Sequence, residues 1–290
     1  MTQMTNVTKA TGEQHPFSEE KLRHSLKRSG AADKLVEKVV LEVKDFLYDG
    51  ISTKKIYQLA FRLLRKYEKL SAARYSLKDA IMQMGPTGYP FEHFVGEILK
   101  RMGYQVKVSQ QMKGKCVQHE VDVIAVNEKK KIMVECKYHN TRGKVSNVHV
   151  PLYIQSRFQD LLAVWQEEQG RDDMTYEGWV VTNTRFTSDA ADYGRCVGLR
   201  LIGWDYPQSR GLKEMVEKAG LFPITALTEL SRKYKSELLE NNIVLCFELA
   251  QYESLLHKML KNKNKVKAVM NEAHELSTIS NSIKMLDRDY

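Results

Sequence analysis

Two acidic residues and one lysine stand on segments that the sequence predicts to be neighbouring strands. Asp122 lies in the first segment, Glu135 and Lys137 lie in the second, and the polar turn Asn127–Lys130 joins them. Strands joined by so short a turn pair side by side, so the two carboxylates are expected next to each other. Residues two apart on a strand point to the same face, so Lys137 is expected beside Glu135.

This pattern suits the hydrolysis of a phosphodiester bond, which needs an oriented water and neutralised phosphate charge. Divalent metals supply much of this, and Mg²⁺ prefers carboxylate and carbonyl oxygens. We expect Asp122 and Glu135 to bind Mg²⁺ or Mn²⁺, with the backbone carbonyl of Cys136 as a further ligand. Lys137 is expected to contact the attacking water or the scissile phosphate. The alternative is a charged hairpin rim without catalytic function.

Helices and strands around these residues predict an α/β domain. Helical spacing of apolar residues runs from Phe91 to Met102, a strand is expected over Tyr104–Ser109, and Gln110–Gln118 is expected to be a polar loop. Further elements are expected as a helix over Leu152–Gln166, which carries Gln155, a strand over Gly178–Thr182, a helix over Ser188–Cys196 and a strand over Leu199–Trp204. Strands that alternate with helices predict a mixed sheet flanked by helices.

Residues 88–206 resemble the PD-(D/E)xK nucleases, and among them the Mrr-type restriction endonucleases. The matching segments are Phe91-Glu92 through Gly103-Tyr104, Val121-Asp122-Val123-Ile124-Ala125, Glu135-Cys136-Lys137, Gln155, and the stretch from Val181-Thr182-Asn183 to Leu201-Ile202. The resemblance implies that Asp122 and Glu135 bind metal and that Lys137 is the catalytic lysine.

The same resemblance implies that Glu97 is an accessory acid and that Gln155 assists from the later helix. Glu97 is alternatively a solvated helix residue. Gln118-His119-Glu120 stands where the family has glycines, so His119 or Glu120 is expected to add to the site or change its substrate. His139 is expected to be a loop or phosphate contact rather than a metal ligand.

The first 85 residues predict a mostly helical domain that resembles the ATP-cone, a nucleotide-sensing module. The matching residues are Val7-Thr8-Lys9 with Gly12, Phe17, Lys21-Leu22, Tyr48-Asp49-Gly50-Ile51-Ser52-Thr53 and Ala72-Ala73-Arg74-Tyr75; Ala10 replaces the family's usual arginine. The resemblance implies binding of ATP or dATP without hydrolysis, with Val7, Lys9, Lys21 and Thr53 near the nucleotide. Lysines beside a turn and a helix N-terminus suit polyphosphate. The alternative is a helical dimerisation domain.

Composition is ordinary for a globular protein, with 290 residues, 42% hydrophobic and 28% charged. The net charge of +9 favours polyanionic partners such as DNA, although a solvated lysine-rich surface gives the same value. No apolar run is long enough for a membrane span, and the N-terminus does not read as a secretory signal, so the cytoplasm is expected. The four scattered cysteines argue against a zinc ribbon and a disulfide scaffold.

Three domains are therefore expected: an ATP-cone-like domain over 1–85, a nuclease domain over 86–208 and a helical C-terminal region over 209–290. The breaker cluster Gly85–Pro90 marks the first boundary. Ile224–Leu230, Leu238-Leu239 and Asn242–Cys246 resemble a helix-hairpin-helix-like unit, with Asn241-Asn242 in place of the hairpin glycine. The C-terminal lysines are either a solvated helix face or contacts to DNA phosphates; they are Lys258, Lys261, Lys263, Lys265 and Lys267.

These observations predict a Mg²⁺-dependent DNA endonuclease, acting in restriction or defence, in which ATP or dATP changes the assembly of a homo-oligomer. An alternative is a catalytically silent nucleic-acid-binding protein whose oligomerisation the nucleotide sets. A transcriptional repressor of the reductase-regulating type is disfavoured, because those repressors carry a zinc ribbon and this chain has no N-terminal cysteines.

Overall fold

The computed structural model describes residues 5–9, 11–169 and 174–278, so the predicted departure at Ala10 lies outside the described residues. The described chain forms two compact units. The first comprises the chain up to Asp79 together with Ala226–Leu230, and the second comprises Ala80–Thr225 and the chain from Ser231 onward. The expected division into three domains stays a prediction.

The first unit is mostly helical, as predicted, and contains a small sheet. Its elements are β1 (Asn6–Thr8), β2 (Gln14–Pro16), α1 (Glu19–Arg28), α2 (Asp33–Asp45), β3 (Ile51–Ser52), α3 (Thr53–Tyr67), α4 (Lys69–Tyr75) and α5 (Leu77–Met82), the last of which crosses the unit boundary. Strand β1 lies between β2 and β3, antiparallel to β2 and parallel to β3. Leu26, Val40 and Leu64 are fully buried in the core of this unit.

Local signals in the sequence set the helix starts in the first unit. The Ser18 hydroxyl accepts a hydrogen bond from the Lys21 amide, and the Ser52 hydroxyl accepts one from the Lys55 amide. Each serine therefore satisfies an amide that the first helical turn leaves without a partner. Helices α4 and α5 are separated at Ser76, which caps α4 before α5 begins.

The second unit is built on a five-stranded mixed sheet. Its strands are β4 (Gln105–Lys113), β5 (Gln118–Val126), β6 (Lys130–Lys137), β7 (Val145–Ser146), β8 (Thr175–Thr182), β9 (Arg185–Phe186) and β10 (Arg200–Ile202). The order in the large sheet is β10-β8-β6-β5-β4, and β7 pairs with β9 in a separate two-stranded sheet.

Its helices are α6 (Tyr89–Arg101), α7 (His149–Gln169), α8 (Ser188–Val197), α9 (Leu212–Ala219), α10 (Arg232–Glu240), α11 (Glu253–Leu260) and α12 (Lys263–Thr278). Helix α7 lies between β6 and β8 in the chain, and α8 lies between β8 and β10; these three strands are parallel. Strands β4, β5 and β6 follow one another through short turns and are antiparallel. The predicted mixed sheet with flanking helices is confirmed.

Helix α6 packs closely on β4, and Gly96 permits the approach. A Cβ at Gly96 would lie 3.1 Å from a methyl group of Val108 and 3.3 Å from one of Val106. Phe91 and Phe94 of the same helix are fully buried. The predicted apolar face of this helix is confirmed, and it fixes α6 against the sheet near the candidate site.

The segment expected to be a polar loop is largely strand. Strand β4 continues to Lys113, and Gln111 pairs with Glu120 on β5. Because β4 is an edge strand with alternating exposed residues, it accepts polar side chains that hide its strand character in the sequence. The turn between β4 and β5 therefore shortens to 114–117.

The C-terminal region is helical, as predicted. A short 3₁₀ turn over Ile224–Ala226 precedes α10, and a second follows over Cys246–Gln251. Asn242 between them has a φ of 59°, a left-handed conformation that asparagine tolerates. The helix-hairpin-helix-like resemblance and the DNA role of the C-terminal lysines stay predictions. No helix within the described ranges is long and apolar enough to cross a membrane.

Candidate active site

The two predicted metal-binding carboxylates lie side by side on adjacent antiparallel strands. Val123 on β5 pairs with Val134 on β6, which places Asp122 opposite Glu135 one position further along. The backbone amide of Cys136 donates a 2.7 Å hydrogen bond to Oδ2 of Asp122. The expected juxtaposition of the carboxylates is therefore present.

Glu135 is buried and holds two cationic side chains. Nζ of Lys137 lies 2.6 Å from its Oε1, and a guanidinium nitrogen of Arg157 on α7 lies 2.6 Å from its Oε2. Glu135 is only 5% exposed, whereas the Lys137 side chain is 37% exposed. The Lys137 amine is thus fixed beside Glu135 and accessible to a substrate phosphate.

Asp122 ionises with difficulty in this arrangement. Burial, followed by the negative charge of Glu135, raises the pKa of Asp122 to about 7, although the hydrogen bond from the Cys136 amide opposes the shift. Two carboxylates this close do not both ionise easily without an additional cation. Their proximity therefore creates a place for positive charge between Asp122 and Glu135.

Helix α6 places Glu92 close enough to affect the charge of this site, and the accessory role of Glu97 stays a prediction. The pKa of Glu92 is raised by burial and by the charges of Glu120 and Glu135, and Glu92 in turn raises the pKa of Asp122. Glu97 instead pairs with Lys100 at 2.5 Å. Residues five apart on a helix differ by about 140° in direction, so the two acids lie on different sides of α6.

Strand β4 contacts Glu92 through Ser109. Ser109 has a φ of 51°, and the register of β4 with β5 is the same on either side of it. Its hydroxyl donates a 3.2 Å hydrogen bond to Glu92. A non-glycine residue in the left-handed region costs free energy, and such irregularities cluster at functional sites.

If the site cleaves DNA, we expect Glu92→Gln to lower the rate by about tenfold or more, because it removes a carboxylate whose charge acts on Asp122. Glu97→Gln, on the same helix, is expected to change the rate less than about twofold, because Glu97 pairs with Lys100 on a different side of α6. Initial rates of plasmid nicking by the two purified variants give the comparison. Equal losses in both would contradict this assignment.

Two buried polar atoms on α7 have no hydrogen-bond partner among the described residues. They are Oε1 of Gln155 and Nε of Arg157. Buried polar groups are nearly always paired, so each of these two atoms is available to a further hydrogen-bond partner. A bound water can donate to the Gln155 oxygen, and a phosphate oxygen can accept from the Arg157 nitrogen; the role of Gln155 stays a prediction.

The donor set fits a divalent cation that keeps part of its hydration. In the part of the chain that the structure describes, no group of three or more His, Cys, Asp or Glu side chains forms a metal cluster. Asp122, Glu135 and the carbonyl of Cys136 would therefore hold it together with water or phosphate oxygens, as is usual for Mg²⁺. Burial raises the pKa of the Cys136 thiol well above its ordinary value, which disfavours a thiolate ligand.

The chain after Lys137 is fastened to the end of β8. The Asn183 side chain accepts from the His139 amide at 2.9 Å and donates to the His139 carbonyl at 2.8 Å. Thr182 donates to the Lys137 carbonyl at 2.7 Å. The His139 ring lies 3.2 Å from the Ser146 hydroxyl, which agrees with a loop contact rather than a metal ligand.

His119 and Glu120, which replace the expected glycines, have separate surroundings. The His119 ring nitrogen Nε2 lies 2.7 Å from Asp160 on α7. The Glu120 side chain is exposed, and its carbonyl accepts a 3.0 Å hydrogen bond from Arg157. The negative charge of Glu120 raises the pKa of Glu92, so Glu120 lies near the group of acidic residues at the site. His119 instead connects β5 to α7 through Asp160.

Sequence reasoning missed Arg157. It lies on α7, its side chain is 14% exposed, and it also donates to the Tyr153 hydroxyl at 3.1 Å. An aromatic residue and an arginine four positions apart share a helix face, so the Tyr153–Arg157 spacing was an available signal. The contact with Glu135 was not, because it joins elements 22 residues apart.

The predicted nucleotide residues lie at different places in the first unit. Parallel pairing of Val7 with Ile51 and of Thr8 with Ser52 brings the end of β1, where Lys9 follows, to the start of α3 at Thr53. Lys21 is exposed in the first turn of α1. The Val7 side chain is buried in the core. Lys9 and Thr53 thus flank a helix N-terminus, where backbone amides favour phosphate.

Comparison with known proteins gives three consecutive family matches. They are the ATP cone domain over residues 5–80, the Restriction endonuclease domain over 84–206 and the AF1548-like C-terminal domain over 222–277. The predicted fusion of an ATP cone with a restriction-endonuclease-type domain is confirmed. The C-terminal match adds a family assignment to the region that the sequence predicted to be helical with a helix-hairpin-helix-like unit.

Two relatives match about two thirds of this chain. An uncharacterized protein of Archaeoglobus fulgidus is 30% identical over 183 residues, which cover 63% of this chain and 99% of that protein. The crystal structure of AF1548, a protein of unknown function, has 30% identity and a TM-score of 0.52, and the match covers 66% of this chain and 99% of that chain.

Proposed function

The chain belongs to the AF1548-like family, and we propose that it is a Mg²⁺- or Mn²⁺-dependent DNA endonuclease controlled by ATP or dATP. It carries a restriction endonuclease domain and an ATP cone domain in one polypeptide. Because its relatives are uncharacterized, the proposal depends on the site itself. Restriction or defence is the proposed setting, and a nucleotide-dependent homo-oligomer is the proposed form.

The observation that carries the proposal is the placement of Asp122 opposite Glu135 with Lys137 2.6 Å from Glu135. A structural ion pair would need only one acid and one base. Here a second carboxylate, whose pKa is raised to about 7, lies next to the pair at an energetic cost. Strongly shifted carboxylates of this kind mark functional sites.

Each side chain has a role that follows from its surroundings. Asp122 and Glu135 hold the cation, which when bound supplies positive charge to the phosphate and acidifies water. Lys137 contacts the attacking water or the scissile phosphate through its accessible amine. Arg157 donates through Nε to a phosphate oxygen, and Gln155 accepts from the bound water.

The test is cleavage of supercoiled plasmid, methylated plasmid, single-stranded DNA and RNA in Mg²⁺, Mn²⁺ or EDTA. We expect metal-dependent cleavage of DNA, and we expect the double variant Asp122→Ala/Lys137→Ala to be inactive. Equal nicking by the wild type and the double variant would reject the proposal, because the activity would then come from another source. Metal binding without cleavage of any substrate would favour the catalytically silent alternative.

Nucleotide binding is tested separately by isothermal titration with ATP and dATP. We expect Lys21→Ala to weaken binding about tenfold, the effect of losing one charge-assisted phosphate contact. Lys27→Ala is the matched control, because Lys27 lies at the other end of α1 and pairs with Asp33 at 2.8 Å. Absence of heat with either nucleotide, or equal affinity in both variants, would contradict the proposed contact.

A further inference from the structure

A surface cavity of about 510 Å³ lies beside the carboxylate site, between the β4–β5 turn and helix α7. This volume is within the range of small-molecule sites. Arg157 and Tyr153 belong to its lining, and Arg157 is the residue whose guanidinium contacts Glu135 at 2.6 Å. The cavity therefore shares a wall with the residues that would hold the scissile phosphate.

Apolar surface in this cavity is unusually exposed. Tyr153 is 60% exposed and Val117 is 59% exposed, and both line it together with Cys116 and Ala163. Large apolar side chains exposed in a concave site are typical of surfaces that bind a partner. A flat ring that stacks on Tyr153 would cover this surface.

The cavity is held in a fixed shape by Asp160. Its side chain accepts from the Cys116 amide at 2.7 Å, from the Val117 amide at 3.3 Å and lies 2.7 Å from the His119 ring. Its carbonyl accepts from the Lys115 amide at 3.1 Å. One α7 residue thus fastens the whole turn before any ligand arrives.

The same contacts keep Asp160 ionised and direct its carboxylate oxygens to the β4–β5 turn. Desolvation opposes its ionisation, but the hydrogen bonds from His119 and from the Cys116 and Val117 amides lower its pKa below the usual range. The carboxylate is thus covered by donors on the side of the turn. Lys115 and Arg157 supply positive charge to the lining, so the cavity suits a group with an aromatic body and an anionic end.

We propose that this cavity binds a nucleobase of the substrate strand, stacked on Tyr153, with its phosphate directed to Arg157. The proposal rests on the proposed nuclease function and adds to it a preference for unpaired or extruded bases. A base inside a duplex has no free face, whereas a single-stranded or extruded base can stack on an aromatic side chain. The Tyr153 hydroxyl, which accepts from Arg157, links the stacked ring to the phosphate-binding group.

The test measures equilibrium binding of full-length protein to two single strands in EDTA, where no cleavage occurs. One is an oligo-dT strand, and the other is an abasic strand of equal length. We expect the wild type to bind the dT strand about fivefold or more tightly than the abasic strand, as base–aromatic stacking predicts. Tyr153→Leu is expected to lower dT binding to the abasic level, and Tyr153→Phe is expected to retain the preference.

Tyr252→Leu is the matched control, because Tyr252 is 41% exposed and lies just before α11, outside the cavity lining. Equal affinity of the wild type for both strands, or equal effects of Tyr153→Leu and Tyr252→Leu, would overturn the cavity assignment alone. If neither strand nor duplex DNA binds, the proposed nuclease function fails with it. A single 2-aminopurine in the dT strand, quenched by the wild type but not by Tyr153→Leu, supports stacking directly.

Discussion

Lys137→Ala should abolish most of the DNA cleavage, with a loss of about 1000-fold in rate. The Lys137 amine lies 2.6 Å from Oε1 of Glu135, and 37% of the Lys137 side chain is exposed. The amine can therefore contact a substrate while it stays beside the carboxylate site. Removing one fixed group that stabilises transition-state charge costs about 100- to 1000-fold, and Lys137 is also proposed to orient the water. Initial rates with saturating Mg²⁺ provide the measurement.

Lys130→Ala is the matched control for this variant. Lys130 lies at the opposite end of β6 and pairs with Glu177 at 2.9 Å, so its loss changes the same strand without changing the site. Lys137→Arg is expected to remain impaired, because a planar guanidinium does not replace a compact amine. Cleavage by Lys137→Ala at the rate of Lys130→Ala would remove Lys137 from the mechanism.

Binding of metal distinguishes a catalytic loss from a collapsed site. Lys137→Ala removes a positive charge beside Glu135 and is therefore expected to bind Mg²⁺ at least as tightly as the wild type. Asp122→Ala is expected to lose Mg²⁺ binding. If Lys137→Ala also lost Mg²⁺ binding, the lysine would be acting by holding Glu135 in place rather than by contacting the substrate.

Local spacing was enough to place the central residues. Asp122, Glu135 and Lys137 follow from two strands, a short turn and the two-residue repeat of a strand, all of which are visible over 16 residues of sequence. The two carboxylates are opposite each other because the register of β5 and β6 is fixed by the turn between them. These features do not depend on the rest of the fold.

The surrounding residues depend on contacts between distant segments. Arg157 reaches Glu135 across 22 residues, and His119 meets Asp160 across 41. The contact of Glu92 with the site depends on the rotation of α6 about its axis and on the hydrogen bond from Ser109. Neither leaves a signal in the spacing of apolar residues.

Asp122→Asn should stabilise the metal-free second unit at pH 8, and the stabilisation should shrink as the pH falls and disappear near pH 4. Burial, followed by the charge of Glu135, raises the pKa of Asp122 from 3.8 to about 7. The folded protein therefore keeps a proton on Asp122 that the unfolded chain releases above about pH 4. The contribution of this proton to the free energy of unfolding is fully present below about pH 4 and is lost as the pH rises through about 7.

An asparagine resembles the protonated carboxyl and avoids that loss, and its oxygen can still accept from the Cys136 amide. A shift of about three pKa units corresponds to about 4 kcal/mol at most, and partial contact with water reduces this to about 2 kcal/mol. For a unit of this size the melting temperature at pH 8 should rise by about 5 °C. Tryptophan fluorescence isolates the second unit, because the three tryptophans, Trp165, Trp179 and Trp204, all lie in it.

Added Mg²⁺ should reverse the order of the two proteins at pH 8. A divalent cation that binds Asp122 and Glu135 stabilises the folded wild type by mass action, whereas Asp122→Asn lacks the charge that holds it. We therefore expect the wild-type melting temperature to rise with Mg²⁺ and that of the variant to stay constant. A variant less stable than the wild type in EDTA at pH 8 would show that Asp122 is stabilised as a carboxylate, and the proposed cation site would lose its electrostatic basis.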